Sequence, residues 1–476
     1  MTSKVQHRDD RNLISRMRLR AVPAALALAG VLVPGMIAMP SAQAQTFTAL
    51  QSFDLTDGLG GDPISPRWAT SFTTLHRFDG TDGDSPSAAL VQATNGELYG
   101  TTGGGGANGG GTVFKITPSG TLITLYNFCS QPNCTDGGGP SGLVQATDGD
   151  LYGTTAGGGA SSACDGGCGT VFKITPSGRL TTLHSFDQTD GIEPRGGLVQ
   201  ATNGDFYGTT LDGGVSCPVG LARCGTVFKI TPGGRLTTLH SFSGTDGFTP
   251  FAGLVQATDG NLYGTTLTAG ANCCGTVFKI TPSGTLTTLH SFSGTDGAVP
   301  QAALIQAVDG NLYGTTGGGA DSACETGLGC GTVFKINPSG KLTTLHSFDL
   351  KDGAGPYAAL VQDTNGSFYS ATNYGGNLSC SAPGATGCGT VFRLSVGLGP
   401  FVETLPSSGR VGALVRILGT DLTDVTCVMF NGVVARYKVV SKTLISTLVP
   451  AGANTGFVTV TTSGKTLKSN VKFRVP

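Results

Sequence analysis

Gly111-Thr112-Val113-Phe114-Lys115-Ile116 returns as the same six residues at Gly169, Gly225, Gly275 and Gly331, and as the variant Gly389-Thr390-Val391-Phe392-Arg393-Leu394. The steps between copies are 58, 56, 50, 56 and 58 residues. A fixed period of this size marks an array of supersecondary units, either a solenoid or a propeller. The hexapeptide reads as a strand because β-branched and aromatic side chains dominate it.

Working outward from each copy gives three more strands per unit. Call the hexapeptide strand c. Strand a is Leu-Val-Gln-Ala or a close variant, starting at Leu90, Leu143, Leu198, Leu254, Leu304 and Leu360. Strand b is Leu/Phe-Tyr-Gly-Thr-Thr, starting at Leu98, Leu151, Phe206, Leu262 and Leu312, with Phe368-Tyr369-Ser370 as the deviant sixth copy. Asn-Gly or Asp-Gly separates a from b, as at Asn95-Gly96 and Asp148-Gly149, and such pairs suit a tight hairpin with positive φ. After strand c comes Thr117-Pro118-Ser119-Gly120 or its equivalent, a β-turn signature. Strand d is Leu-Thr-Thr-Leu-His-Ser-Phe, for example Leu236 to Phe242.

Four antiparallel strands in about 55 residues specify a propeller blade. Strands a, b and c occur six times, whereas no strand d follows Leu394. A spare copy, Thr73 to Phe78, precedes the first strand a. The expectation is therefore an all-β chain: a six-bladed β-propeller over 73–396, closed by that N-terminal strand, then a small immunoglobulin-like β-sandwich over 397–476. Closure of this kind removes an exposed sheet edge. An open solenoid is the alternative. Residues 45–72 stay ambiguous, because Leu50-Gln51-Ser52-Phe53-Asp54-Leu55-Thr56-Asp57-Gly58 echoes strand d and its loop. They are a degenerate repeat or an extension of the seam.

Composition agrees with short strands and tight turns. Of 476 residues 77 are Gly, charged residues are 12% and apolar residues 38%. No Gly-X-Y period or heptad exists, which excludes collagen and coiled coil. Arg16-Met17-Arg18-Leu19-Arg20, an apolar run from Ala21 to about Met39 and Ala42-Gln43-Ala44 read as a Sec-type signal peptide over 1–44, with Met1 or Met17 as the start. The destination is the cell surface, the periplasm or the medium. No later stretch is long and apolar enough for a membrane span. Residues 1–44 hold six basic and two acidic residues, so the remainder carries 23 basic against 28 acidic. That balance argues against nucleic acid as a partner.

Twelve of the 13 cysteines form six close pairs: Cys129 with Cys134, Cys164 with Cys168, Cys217 with Cys224, Cys273 with Cys274, Cys324 with Cys330 and Cys380 with Cys388. In an exported chain these read as local disulfides. A metal is the competing reading, since Cys164-x3-Cys168 has near-ligand spacing, although no His accompanies any pair. Cys427 is left over and reads as a thiol with no assigned role.

His76, His184, His240, His290 and His346 recur on strand d, too far apart around the rim to share an ion, so they read as structural. Asp79 with Asp82 and Asp187 with Asp190 flank the loop from d to a. These four carboxylates could hold calcium, the one cofactor the sequence allows; the alternative is an Asp-capped turn. Lys115 and its equivalents read as paired or solvated. Tyr99 and its equivalents read as packing between blades.

Gly-Thr-Val-Phe-Lys-Ile together with Leu-Tyr-Gly-Thr-Thr resembles the GloVer (Gloeobacter/Verrucomicrobia-type) tandem repeat of exported bacterial proteins. The resemblance implies a secreted or surface protein and no known activity. Pro406-Ser407-Ser408-Gly409, Ile417-Leu418-Gly419-Thr420-Asp421-Leu422, Val428-Met429-Phe430-Asn431-Gly432, Val449-Pro450-Ala451-Gly452 and Phe473-Arg474-Val475 are similar to an IPT/TIG domain, which implies a spacer or interaction module.

In a propeller, the b–c and d–a loops share one face. Here those loops carry every length change and twelve cysteines. A rigid scaffold presenting variable loops suits recognition of an extracellular glycan, a protein or an envelope component by a monomer; drift in exposed loops is the plain alternative. The symmetry-breaking residues that could do catalysis are Glu193, Arg195, Asp212, Arg223, Asp321 and Glu325, and no catalytic set assembles from them. The rivals to a binding protein are a hydrolase or lyase of extracellular polysaccharide and a structural surface-layer component.

Overall fold

The hexapeptide alternates side chains to the two faces of a sheet, and in strand c the residues of both faces are buried. Val227, Phe228 and Ile230 are fully buried, and so are their counterparts Val277, Phe278 and Ile280. Such a strand lies between neighbours on both sides. The computed structural model describes residues 46–52 and 74–475, apart from 94, 118, 217–223, 320–323, 325–328 and 383–384. The expected signal peptide, Cys217, Arg223, Asp321 and Glu325 lie outside the described residues.

The described repeats form six four-stranded antiparallel sheets, each in the order a, b, c, d. The third is typical: Val199–Gln200, Phe206–Thr210, Thr226–Ile230 and Leu236–Ser241. Strand b lies in register with c, Phe206 opposite Ile230 and Thr210 opposite Thr226. The c–d ladder carries one bulge, which leaves Leu239 unpaired between His240 and Thr238. The same bulge recurs in the first, second, fourth and fifth sheets. The glycine of strand b is required by contact. A Cβ at Gly208 would meet the Phe228 ring at 2.6 Å and Leu198 at 3.0 Å.

Consecutive sheets pack through apolar clusters. One joins Tyr152, Val171 and Phe186 of the second sheet to Leu198, Phe206, Phe228 and Ile230 of the third. Equivalent clusters join first to second, third to fourth, fourth to fifth and fifth to sixth. Each contains an aromatic step: the Phe ending strand d meets the next strand c edge-on, Phe186 to Phe228 at 5.1 Å and Phe242 to Phe278 at 5.3 Å. The strand-b tyrosines take part as expected, and Tyr99, Tyr152, Tyr207, Tyr263 and Tyr313 are fully buried. Among the described residues no cluster joins the sixth sheet to the first.

The seam corrects the sequence reading. The fourth strand of the sixth sheet is Thr46–Ser52, not Thr73 to Phe78. It pairs with Thr390–Ser395, Ser52 opposite Thr390 and Phe47 opposite Leu394. Its bulge between Ala49 and Gln51 leaves Leu50 where Leu239 stands in the third sheet. The repeat architecture therefore begins at Thr46, inside the segment left ambiguous. Residues 74–79 carry no strand pairing. They flank the first sheet instead, with Phe78 against Phe114 at 5.3 Å, as strand d of a preceding unit would. The physical reason is that the pattern of strand d occurs twice before Leu90. The first copy takes the open backbone edge of the sixth sheet and the second takes the apolar flank of the first.

Residues from Val402 onward form one eight-stranded sheet rather than two separate ones. Its halves meet at a single parallel pair, Val402 with Ser469. The sheet curls around Val402, Val415, Ile417, Val428, Phe430, Ile445, Val458, Val460 and Phe473. This unit is anchored on the a–b turn of the sixth repeat. Phe401 N–H donates to the Thr364 carbonyl at 2.9 Å, and the Thr364 and Thr420 hydroxyls are 2.9 Å apart. A Cβ at Gly366 would collide with the Leu398 and Gly399 carbonyls, whereas the equivalent Gly96, Gly149, Gly204, Gly260 and Gly310 face open space.

Deleting residues 45–52 is expected to strip the outer edge of Thr390–Ser395. Hydrogen exchange should then show faster exchange at alternate amides of 390–395, with a lower melting temperature. Unchanged protection would mean that another segment holds that edge.

Candidate functional site

The d–a loop is built by its own aspartates. Asp190 accepts from the Asp187 N–H at 2.8 Å and lies 2.7 Å from His184 Nε2. Asp187 in turn accepts from the N–H and hydroxyl of Thr189 at 2.7 and 2.6 Å. Asp79 and Asp82 repeat the arrangement, with His76 2.6 Å from Asp82. The other three histidines pair likewise: His240 with Asp246, His290 with Asp296 and His346 with Asp352. In the remaining copy Tyr126 donates to Asp136 at 2.8 Å. These are Asx-type turns braced by a ring nitrogen. Among the described residues no three His, Cys, Asp or Glu side chains are grouped to hold a metal. The four aspartates singled out for calcium are occupied with these intramolecular donors.

Burial opposes charge on Asp246, but bonds from His240 and the Ser243 N–H hold its carboxyl below the usual carboxylate range. Two of the strand-c lysines pair within their own unit, Lys115 with Glu97 at 2.9 Å and Lys173 with Asp150 at 2.7 Å.

The d–a and b–c loops are stitched together by isolated bridges, Ile192 with Asp212, Phe248 with Thr268, Ala298 with Gly318 and Ala354 with Tyr374. They thus share one face, and local disulfides brace it: Cys129–Cys134, Cys164–Cys168, Cys273–Cys274, Cys324–Cys330 and Cys380–Cys388. Cys224 is also disulfide-bonded. Cys427 is a free thiol in the C-terminal sheet.

Each d–a loop ends in Gly-x-x-Pro, and the residue before the proline is its mechanical centre. Glu193, Thr249 and Val299 have φ of 54, 58 and 57°. Branched side chains rarely adopt this left-handed region, and a following proline favours extended backbone. Such a conformation persists only where the surroundings over-determine it. Here both backbone groups are held. The N–H of Glu193 donates to the Cys168 carbonyl of the preceding unit, and those of Thr249 and Val299 donate to Cys224 and Cys274, each at 3.0 Å. Their carbonyls accept from Leu211, Leu267 and Gly317 of their own unit, also at 3.0 Å. Cys168, Cys224, Cys274 and Cys330, each the second cysteine of its pair, thus supply the acceptor for the next loop.

The residue after the proline takes five identities in six units: Ser87, Ser141, Arg195, Phe251, Gln301 and Tyr357. Sequence reading singled out Arg195 and Glu193 but missed Phe251, Gln301 and Tyr357. Aligning the units on the loop proline would have found them. Arg195 donates through Nε to Glu193 at 2.9 Å. Phe251 and Tyr357 are half-buried. Burial, with Tyr374 beside it, pushes the Tyr357 phenol up, so it stays protonated at neutral pH.

The Gloeobacter/Verrucomicrobia repeat profile matches residues 66–222 and 214–407. The chain belongs to that family. No match was found among curated proteins. Among solved structures, the chain is similar to a fungal alcohol oxidase of the AA5 family in complex with copper, at 14% identity and TM-score 0.43, over 80% of this chain and 84% of that one. It is also similar to a protein of unknown function from Dyadobacter fermentans, at 13% identity and TM-score 0.41, over 64% and 93%. A third is XC5397 from Xanthomonas campestris, a gluconolactonase, at 14% identity and TM-score 0.36, over 67% and 88%. At such scores these likenesses say nothing of this chain's chemistry.

Two predictions follow from the loop geometry. Asp246→Asn should lower stability at pH 7 by about 1 kcal/mol, a typical net value for such a bond. A carboxyl depressed on folding stabilises above its unfolded value near 3.9 and loses that contribution as pH falls through the folded value. Thermal melts of the variant should therefore converge with the parent as pH falls below the ordinary carboxylate range. Replacing Cys164 and Cys168 by Ala should cost about 2 kcal/mol, as expected for so short a loop. Hydrogen exchange at the Glu193 amide should accelerate. A slow amide there would separate the disulfide from the clamp.

Proposed function

We propose that this is an exported, non-enzymatic binding protein whose loop face recognises an extracellular glycan, a protein or an envelope component. The carrying observation is the residue after the loop proline, which is Ser in the first two units and Arg195, Phe251, Gln301 and Tyr357 in the other four, on strands that repeat almost unchanged. The disulfides fit export, and no helix among the described residues is long and apolar enough to cross a membrane. We take the sheets as six blades of a propeller whose seam lies between the sixth and the first. The C-terminal sheet, proposed as an IPT/TIG-like module, is anchored at an a–b turn and leaves the loops uncovered.

A polysaccharide hydrolase or lyase is the second reading, favoured by one observation. The Ile192–Asp212 bridge sets Glu193 and Asp212 on neighbouring segments of one unit, where paired carboxylates could act.

The test is a polysaccharide and glycan binding screen on the exported chain, with and without calcium, while new reducing or unsaturated ends are monitored. Binding without new ends, unchanged by calcium, is expected. New ends that vanish in Glu193→Gln would favour the enzyme.

A further inference from the structure

The residues after the loop prolines sit in consecutive loops that touch. Ser141 Oγ donates to the Pro194 carbonyl of the next unit at 3.3 Å, and a Cβ at Gly196 would meet the Ala252 carbonyl at 2.9 Å. Buried threonines of strand b hold the segment from the following unit: Thr209 donates to the Ala252 carbonyl, Thr265 to Pro300 and Thr315 to Ala358. Arg195, Phe251, Gln301 and Tyr357 therefore stand as neighbours along one arc. Their next residues are Gly196, Ala252, Ala302 and Ala358, so nothing large rises beside them.

Three of these four side chains, those of Phe251, Gln301 and Tyr357, have no hydrogen-bond partner among the described residues, whereas many of the repeated polar side chains do. The strand-b tyrosines bond their hydroxyls to the turn, as Tyr152 does to Asp148 at 2.8 Å. Among the described residues Tyr357 makes no hydrogen bond through its hydroxyl; its ring lies across Gly317 of the preceding unit, where a Cβ would meet it at 2.2 Å, and its one aromatic neighbour is Tyr374, at 6.4 Å. Phe251 belongs to no apolar cluster and meets no other ring, and the Gln301 amide has no partner within the protein, again among the described residues. Glu193 neutralises Arg195, and both contacts of the pair, from Nε and Nη2, end on one carboxylate oxygen. The other oxygen and the remaining guanidinium N–H groups are left to face a ligand.

We infer that Arg195, Phe251, Gln301 and Tyr357 form a binding arc for a neutral oligosaccharide chain. This rests on the binding reading above and narrows it to one row of residues and one ligand class. Aromatic rings offer a flat apolar surface to the C–H faces of sugar rings. The Gln301 amide, the Tyr357 hydroxyl and the Arg195–Glu193 pair offer both donors and acceptors to sugar hydroxyls. With its one cation paired, the arc has no excess charge for an anionic polymer. A protein partner would need a broad apolar centre, and single side chains flanked by Gly and Ala do not supply one.

The test is calorimetric titration of the exported full chain with cellohexaose, xylohexaose, maltohexaose and laminarihexaose, with oligogalacturonate as the anionic control. At least one neutral hexasaccharide should bind. Phe251→Leu, which keeps apolar bulk, and Tyr357→Ala should each weaken it tenfold or more, with melting curves like the parent's. Lys229→Gln, on strand c, should change nothing. Failure of all neutral probes, or binding of oligogalacturonate alone, overturns the inference. Binding that survives both arc variants but falls in the Cys164→Ala/Cys168→Ala variant overturns the arc and spares the loop-face reading. Binding that survives all three overturns both.

Discussion

One backbone hydrogen bond organises the loop face. From Pro140 onward, the amide of the residue before each loop proline reaches back to the carbonyl of the residue before the preceding hexapeptide, as from Glu193 to Cys168 at 3.0 Å. It ties each unit to its predecessor at the rim, while the aromatic step ties them in the interior. It also holds a backbone conformation that Thr249 and Val299 would not adopt alone. The proline that follows then has a fixed heading, and so does the residue after it. Placing a cysteine at the acceptor position stiffens the clamp from behind. In the first unit Gly110 supplies that acceptor instead, to Gly139, and the disulfide moves to Cys129–Cys134 in the d–a loop.

Much of this was legible in the residues. The hexapeptide, the Asn-Gly and Asp-Gly turns and strand d gave four strands per unit in their observed order, because hairpin pairing is local. The buried tyrosines and the shared face of the two loop sets followed from period and turn length. What the sequence hid was of two kinds. The pairing of His184 with Asp190 needs the chain to double back, and periodicity does not show that. The arc of Arg195, Phe251, Gln301 and Tyr357 was hidden because attention to what repeats passes over positions that do not.

The seam shows where pattern matching stops. Leu50-Gln51-Ser52-Phe53 and the later copy ending in Phe78 satisfy one template, and the sixth sheet needs one strand. A repeat offers two seats at its boundary, a backbone edge and an apolar flank. In an interior unit a single strand fills both. Here Thr46–Ser52 takes the edge and Phe78 takes the flank, so the two seats are physically distinct. The sixth sheet is also less tightly covered: Tyr369 and Val391 are only half-buried, where Tyr313 and Val333 are fully buried.

The near-identity of the hexapeptide copies has a genetic consequence. A unit exchanged at two such copies would bring in everything from one strand c to the next while leaving both junction strands whole. Each swap imports one proline and the single letter behind it. The protein could thus respell its reading edge by shuffling whole words, without any point mutation having to pass through an unfolded intermediate sequence.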